Sequence, residues 1–259
     1  MVSVRNIGYR IGGKQVLQNI SLDFPTGRLS VMLGPNGSGK SSLLKIFSGY
    51  TDGFMGSVLY HGEDTRALSK AGMAQYRAVM SQQPQLDFPL LVDEVVMMGR
   101  YPHFTFNPGK KDQAICGEVM QMMELLPLRH RNYLTLSEGE KQRVQFARVL
   151  AQVWNCRDKG FLFLDEPIAS LDIRYQHAFL SMARDMAARQ LTVVAVLHDL
   201  NLAMEYADRI VLLKDGKLVA TGNAGSTMTA AVIRQVFDVQ ARVVQHEHST
   251  RPFLVLGGE

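Results

Sequence analysis

The stretch Gly34-Pro-Asn-Gly-Ser-Gly-Lys-Ser41 decides the fold, because it fits the phosphate-binding pattern GxxxxGK(S/T). It follows a short apolar run at residues 28–33 and precedes a predicted helix at 40–48, so it joins a buried strand to a helix. Glycines let backbone N–H groups curl around phosphate oxygens, and the amino end of the helix attracts the same negative charge. Lys40 is expected to reach the β- and γ-phosphates of a nucleotide, and Ser41 to ligate Mg²⁺.

A second motif ends another apolar run. Phe161-Leu-Phe-Leu-Asp165-Glu166-Pro167 is typical of a buried strand with two adjacent carboxylates at its C-terminal end. Such a pair could belong to a solvated turn, but the phosphate-binding stretch upstream favours a metal-binding and catalytic role for the two carboxylates. We therefore predict that Asp165 holds the Mg²⁺ and that Glu166 polarises the attacking water, with Lys40 offsetting negative charge.

Composition bounds the class of protein. The chain has 259 residues, 46% of them apolar and 20% charged, which excludes a disordered chain and allows one large domain. No apolar run approaches the ~20 residues that a membrane-spanning helix needs, and no apolar signal segment is predicted at the N-terminus. Cys116 and Cys156 are expected to be unpaired thiols in the cytosol. The net charge of +4 is scattered along the chain, so we expect no nucleic-acid partner.

The hydrophobic pattern predicts a single α/β domain. Strands joined by turns dominate the N-terminal part, helical periodicity dominates about 93–152, and buried strands then alternate with helices, as in a parallel sheet covered on both faces. The parts of this 1–259 domain are expected to be a core and β subdomain at about 1–84 and 161–225, a helical subdomain at about 85–160, and a C-terminal extension at 226–259.

Two local features are predicted within this frame. A helical apolar stripe is expected from Ile115, Val119, Met122, Met123 and Leu126. The C-terminal extension is expected to form one helix followed by two short strands. His246 and His248 lie near its end, where they could bind a metal or could simply be surface strand residues.

The stretch Leu136-Ser-Glu-Gly-Glu140, followed by Lys-Gln-Arg-Val, resembles the LSGGQ signature of ABC transporter ATPases. Further parts of that family's pattern occur in the family's order along nearly the whole chain. The matching residues are Tyr9, Val16, Gln82, the D-loop Ala169-Ser-Leu-Asp172, and His198 in Val196-Leu-His-Asp199. The resemblance implies the ABC ATPase form of the P-loop NTPase fold, with a RecA-like α/β core, an N-terminal antiparallel β subdomain and a helical signature subdomain.

The resemblance also implies roles for these residues. Tyr9 would stack on adenine beside Val16. Gln82 would contact the metal, with Ser41 and Asp165, and sense a membrane partner. His198 would contact the γ-phosphate as a catalytic residue beside Glu166 and Lys40. The implied ATP-binding residues are Tyr9, Val16, Gly34, Pro35, Asn36, Gly37, Ser38, Gly39, Lys40, Ser41, Ser42, Ser137 and Gly139.

In this family two copies meet head to tail and enclose two ATP molecules, which implies a homodimer for this chain. The residues implied at its interfaces are Leu136, Glu138, Glu140 and Asp172, together with Arg100, Tyr101 and His103 toward a permease. The signature departs from the family pattern at Glu138, where glycine is usual, and at Glu140, where glutamine is usual. Ser137-x-x-Glu140 is also a capping box, which predicts that a helix begins there. The Glu138 carboxylate either weakens ATP-driven closure or turns outward and pairs with a cation such as Lys141.

The cargo is suggested by two further stretches. Gly99-Arg-Tyr-Pro-His103 resembles a segment of importers of ferric siderophores, haem and cobalamin, and the residues around 140–152 resemble haemin-importer ATPases. The resemblance implies an ATPase at the cytoplasmic face of the bacterial inner membrane, docked on a permease dimer that meets a periplasmic binding protein. Haem is the expected cargo, with ferric siderophore or cobalamin as the alternative. A soluble ABC-type ATPase acting on nucleic acid or ribosomes and a P-loop kinase are the alternatives from other classes.

Overall fold

The structure is a computed structural model, and it describes residues 1–81, 86–156, 159–245 and 252–257. Its strands are β1 (Val2–Ile11), β2 (Lys14–Phe24), β3 (Arg28–Leu33), β4 (Met55–Tyr60), β5 (Glu63–Asp64), β6 (Arg77–Met80), β7 (Phe161–Asp165), β8 (Thr192–Val196), β9 (Arg209–Lys214), β10 (Lys217–Gly222), β11 (Ala241–Val244) and β12 (Phe253–Leu256). Its α-helices are α1 (Lys40–Phe47), α2 (Lys70–Ala74), α3 (Val92–Met98), α4 (Lys110–Met122), α5 (Glu138–Val153), α6 (Ile173–Ala188), α7 (Leu200–Tyr206), α8 (Ala224–Thr227) and α9 (Ala230–Phe237). The expectations for Gln82, His246 and His248 concern positions outside these described residues.

The central sheet places the motif-bearing strands side by side. Its order is β10-β9-β3-β8-β7-β6, in which β9, β3, β8, β7 and β6 run parallel and β10 returns antiparallel to β9. β7 and β8 are buried along their whole length, as their continuous apolar runs predict for strands covered on both faces. Ligands bind at the carboxyl ends of such strands, so the ends of β3, β7 and β8 locate the site. The expected α/β fold class is confirmed.

The N-terminal sheet holds the first helix in place. It is antiparallel, with the order β2-β1-β4-β5. Between it and the central sheet lies an apolar cluster in which the ring of Phe47, on α1, contacts the rings of Phe24 and Phe163, each at a centroid distance of 5.0 Å. The apolar face of α1 is therefore held between the two sheets, and the amino end of the helix begins where the phosphate-binding stretch ends.

Helices α3, α4 and α5 pack on one another, and α5 also packs on β6 and β7. Their side chains belong to the larger apolar cluster of the protein, the main core. The closest approach is at Gly99, where an added Cβ would lie 2.0 Å from the carbonyl oxygen of Arg148. The helical region thus shares its core with the sheet, and the subdomain boundaries stay a prediction.

The apolar stripe predicted for α4 is wrong in part. Ile115, Val119 and Met123 are buried, but Met122 and Leu126 are 39% and 46% exposed. Helix α4 ends at Met122, and Glu124 has a φ of 54°, so the helical period does not continue to Leu126. The turn in the backbone therefore ends the stripe earlier than the periodicity predicts.

The C-terminal extension has the predicted helix and two strands. Helix α9 is followed by β11 and β12, which pair antiparallel, and the short helix α8 precedes them. Strand β12 packs against α7, and its Leu254 is buried in the main core. The extension is therefore part of the packed structure.

Candidate nucleotide-binding site

The phosphate loop, residues 34–41, is a backbone cradle that needs glycine at two points. Gly34 and Gly39 have φ values of 153° and 98°. A Cβ on Gly34 would lie 2.1 Å from the carbonyl oxygen of Leu213, and one on Gly39 would lie 2.5 Å from a methyl group of Leu17. The hydroxyl of Ser38 is buried and has no hydrogen-bond partner among the described residues. Such a loop, with an unused donor inside it, fits the phosphates of a nucleotide.

Lys40 is held at this loop. Its Nζ donates to the carbonyl oxygens of Gly34 and Pro35, at 2.8 and 3.0 Å. Burial lowers the pKa of the ammonium group, and the carboxylates of Glu166 and Asp165 oppose that shift. Phosphate oxygens are stronger acceptors than neutral carbonyls, so a bound nucleotide can draw the ammonium group to itself.

The two residues predicted from the sequence to ligate Mg²⁺, Ser41 and Asp165, lie within hydrogen-bond distance of each other. The hydroxyl of Ser41, at the start of α1, donates to Oδ1 of Asp165, at the end of β7, at 2.9 Å. Burial raises the pKa of Asp165, and the hydrogen bond from Ser41 counters this shift. A carboxylate and a hydroxyl are the hard donors that Mg²⁺ prefers, so these residues fit the ion. Gln82, the third predicted ligand, lies outside the described residues.

The proposed catalytic pair is also assembled. Oε1 of Glu166 lies 2.7 Å from Nε2 of His198, which follows β8. Glu166 has a φ of 50°, and its N–H donates to the carbonyl of Val196 at 3.2 Å, so the chain turns sharply at the end of β7. Because β7 and β8 are parallel neighbours, their carboxyl ends bring the two side chains together.

The predicted adenine-contacting residues lie on β1 and β2. Tyr9 pairs in register with Leu17, the residue after Val16, and both Tyr9 and Val16 are partly buried. The turn between β9 and β10 ties this strand to the phosphate loop: the N–H of Gly216 donates to the carbonyl of Ser38 at 3.2 Å, and the N–H of Gln18 donates to the carbonyl of Gly216 at 2.8 Å. Stacking on adenine stays a prediction.

The signature stretch forms the start of α5, as the capping box predicts. The hydroxyl of Ser137 accepts the N–H of Glu140 at 3.3 Å, and the Glu140 carboxylate accepts the N–H and hydroxyl of Ser137 at 2.8 and 2.9 Å. These hydrogen bonds lower the pKa of Glu140. Glu138, 77% exposed along its side chain, pairs with Lys141 at 2.8 Å, so the structure favours the outward, paired alternative. Gly139 follows in the same first turn.

Two of the residues predicted at the dimer interface differ in exposure. Asp172 is exposed and caps α6, accepting the N–H of Tyr175 at 3.0 Å. Leu136 is only 5% exposed and belongs to the main core, so it packs within its own chain. Among the described residues, no hydrogen bond joins Ser137 to the phosphate loop. The signature and the phosphate loop are therefore not joined by hydrogen bonds within one chain.

The expectation that Arg100 contacts a permease is corrected by its burial. Arg100 is 3% exposed; it donates to Asp112 at 2.9 Å and to the carbonyl of Ala151 at 2.7 Å. His103 lies 2.7 Å from the carbonyl of Gln152 and is half-buried. Tyr101 is exposed. Arg100 and His103 therefore fix the turn that presents Tyr101.

A groove beside this turn was not predicted from the sequence. It has a volume of about 840 Å³, lies between α3 and α4, and has Tyr101 and the highly exposed Phe106 along it. Asp93 lines it, and one oxygen of Asp93 is buried without a partner among the described residues. Aromatic residues in the 101–106 segment were the sequence signal that could have indicated it. No helix within the described residues is long and apolar enough to cross a membrane.

Residues 17–169 match the protein family described as ABC transporter. Two similar curated proteins, from Gloeobacter violaceus and Vibrio parahaemolyticus, are both named hemin import ATP-binding protein HmuV. The first is 42% identical over 98% of this chain and 94% of its own length. The second is 41% identical over 95% of this chain and 94% of its own length.

Solved structures agree on the fold. A chain of a proposed metal-chelate type ABC transporter in an inward-facing conformation has a TM-score of 0.82 at 24% identity, covering 100% of this chain and 98% of that one. An ATP-binding cassette of an ABC transporter in its ADP conformation has a TM-score of 0.78 at 20% identity, covering 92% of this chain and 98% of that one. The family model matches more than half of the chain, and the curated relatives match nearly all of it. The chain therefore belongs to the ABC transporter family, as one of its ATP-binding ATPases.

Proposed function

We propose that this chain binds and hydrolyses ATP to power the import of haem through a separate permease. The observation that carries the proposal is the alignment with relatives named for hemin import, at 42% and 41% identity over 98% and 95% of this chain. The residues around 140–152, on α5, support haem because they resemble haemin-importer ATPases. The stretch Gly99-Arg-Tyr-Pro-His103 supports the wider group that imports ferric siderophores, haem and cobalamin.

The geometry supports a division of labour in hydrolysis. Glu166 orients the attacking water and accepts its proton, and His198, 2.7 Å away, contacts the γ-phosphate. Lys40 offsets the charge that develops on the transferred phosphoryl group. Ser41 and Asp165, with Gln82 as the resemblance implies, would hold Mg²⁺, which would add further charge neutralisation.

The dimer belongs to the proposal as well. Ser137 is exposed at the start of α5 and has no hydrogen bond to its own phosphate loop among the described residues. Asp172 is exposed, and Ile173 beside it is a large apolar residue left 74% exposed. Such a surface suits a second copy, whose ATP would meet Ser137 and Gly139 across the interface.

The permease partner is assigned to the groove between α3 and α4. Its exposed aromatic residues, Tyr101 and Phe106, offer apolar contact to a permease segment. The permease holds this chain at the cytoplasmic face of the bacterial inner membrane. The periplasmic binding protein then acts on it only through the permease, and no nucleic acid is involved.

Growth on haem tests the proposal. Deleting the gene from its host is expected to prevent growth on haem as the sole iron source, and the wild-type gene should restore growth where Lys40→Ala does not. Normal growth on haem, with a defect on a ferric siderophore or on cobalamin, would replace haem with that cargo. Recovery of the chain without a permease, on ribosomes or nucleic acid, would contradict the importer role, and a phosphorylated acceptor would indicate a kinase.

A further inference from the structure

His198 stands directly before helix α7, and one residue caps that helix. The Asp199 carboxylate accepts the N–H groups of Asn201 and Leu202, at 2.8 and 2.9 Å. These hydrogen bonds define the first turn of α7. Since a single residue separates His198 from the helix, the position of this turn sets the position of the histidine.

The side chain of Asn201 ties this first turn to the antiparallel strand pair β11 and β12, the C-terminal hairpin. Its Nδ2 donates to the carbonyl of Leu254 at 3.0 Å, and its Oδ1 accepts the N–H of Leu254 at 2.7 Å. The amide thus takes the place of a neighbouring strand along β12, because it pairs with both backbone groups of one residue. The Leu254 side chain is buried in the main core, so the anchor is itself fixed.

The start of α7 also borders an open space. A cavity of about 120 Å³ lies there, with Leu202, His198 and Glu166 in its lining. Because no side chain fills this space, packing there does not prevent a shift of the first turn. The hydrogen bonds to Leu254 oppose such a shift.

We propose that Asn201 is a positioning residue for ATP hydrolysis, which anchors the start of α7 to β12 and thereby holds His198 against Glu166. Strand β12 of the C-terminal hairpin thus helps to fix the position of His198 through the Asn201 amide. The inference rests on the proposed roles of Glu166 and His198 in hydrolysis.

The test is the ATPase activity of the chain carrying Asn201→Leu, which keeps the bulk of the side chain, does not weaken the helix by propensity, and removes both hydrogen bonds. The expected result is a kcat lowered about tenfold with KM for ATP unchanged, since the phosphate loop is untouched. In a His198→Ala background the same substitution should have almost no further effect, because both changes act through one group. Thr229→Ala, which removes the cap of α9 elsewhere in the extension, is the matched control and should leave kcat unchanged.

Three results would overturn the inference: an unchanged kcat in Asn201→Leu, a raised KM in place of a lowered kcat, or effects that multiply with those of His198→Ala. The unchanged KM also serves as the check that the variant folds, because a misfolded chain cannot bind ATP normally. A wild-type chain without ATPase activity would overturn the proposed function as well as this inference. An active wild type with an unaffected Asn201→Leu overturns the inference alone.

Discussion

Removing Asp112 should destabilise the protein strongly, because Asp112 neutralises a guanidinium group inside it. Nε of Arg100 lies 2.9 Å from Oδ1 of Asp112, and the two side chains are 3% and 11% exposed. At an effective dielectric constant of about 20, two unit charges at this distance attract by about 6 kcal/mol before the cost of removing them from water. Breaking such a buried pair from one side costs about 3–5 kcal/mol. We expect Asp112→Ala to lose that much free energy of unfolding, measured by urea denaturation.

A double-mutant cycle supplies the control. The single variants Arg100→Met and Asp112→Leu each leave one charge unpaired, whereas the double variant leaves none and should cost far less than the sum of the two. A loss below about 1 kcal/mol for Asp112→Ala, or additive effects in the cycle, would refute the claim that the charge must be neutralised.

The same pair predicts a dependence on pH. Burial raises the pKa of Asp112, but hydrogen bonds from the Gly109 N–H and from Arg100 outweigh it and hold the pKa below its ordinary value. A carboxyl group whose pKa is lowered by folding stabilises the native state above the ordinary pKa, and this contribution is lost as the pH falls through the lowered one. The unfolding free energy of the wild type should therefore fall more steeply below about pH 4 than that of Asp112→Ala.

Three further predictions concern turnover, packing and the signature. Glu166→Gln should keep ATP binding and lower turnover by ~10² or more in a phosphate-release assay, and near-normal turnover would remove Glu166 from its role. Gly99→Ala should lower the free energy of unfolding by about 1–3 kcal/mol, seen as a lower midpoint of thermal denaturation, because the new Cβ would overlap a backbone carbonyl of α5. Gly117→Ala, in open space on α4, is the control and should not destabilise. Since Glu138 is paired with Lys141, Glu138→Gly should leave ATPase activity nearly unchanged. Lys141→Met leaves the Glu138 carboxylate unpaired and should lower the activity at low salt, but not at high salt, where the charge is screened. Equal rates for Lys141→Met and wild type at low salt would show that the unpaired carboxylate does not act on ATP.

The sequence alone predicts two features of the site correctly, because each follows from a general rule of backbone geometry. The start of α5 follows from a capping box, since Ser137 and Glu140 satisfy each other's backbone groups over four residues. The meeting of Ser41 with Asp165 follows from the rule that parallel strands present their carboxyl ends at one edge. The first prediction needs only a short stretch, and the second needs only the general geometry of a parallel sheet.

The predictions that were wrong depend on long-range packing. Arg100 resembles a surface residue by type, but the structure buries it against Asp112, and residue type alone does not reveal which ion pairs are buried. Leu136 was expected at an interface with a second copy, yet it packs in the main core. The tie between Asn201 and Leu254 joins distant segments and leaves no periodic signal in the sequence.

The bracing of the phosphate loop by the turn at Gly216 has a consequence for biosynthesis. The loop closes against two groups near residue 215, the N–H of Gly216 and the carbonyl of Leu213 beside Gly34, although the loop is made very early. At about 5–20 residues per second, a ribosome needs roughly 9–35 s to make the chain between the phosphate loop and that hairpin. During this interval the emerging N-terminal strands and the glycine-rich segment exist without their brace. Nucleotide can therefore act as a folding ligand only after this hairpin has been made, and a nascent chain stalled before residue 213 should not be retained on immobilised ATP.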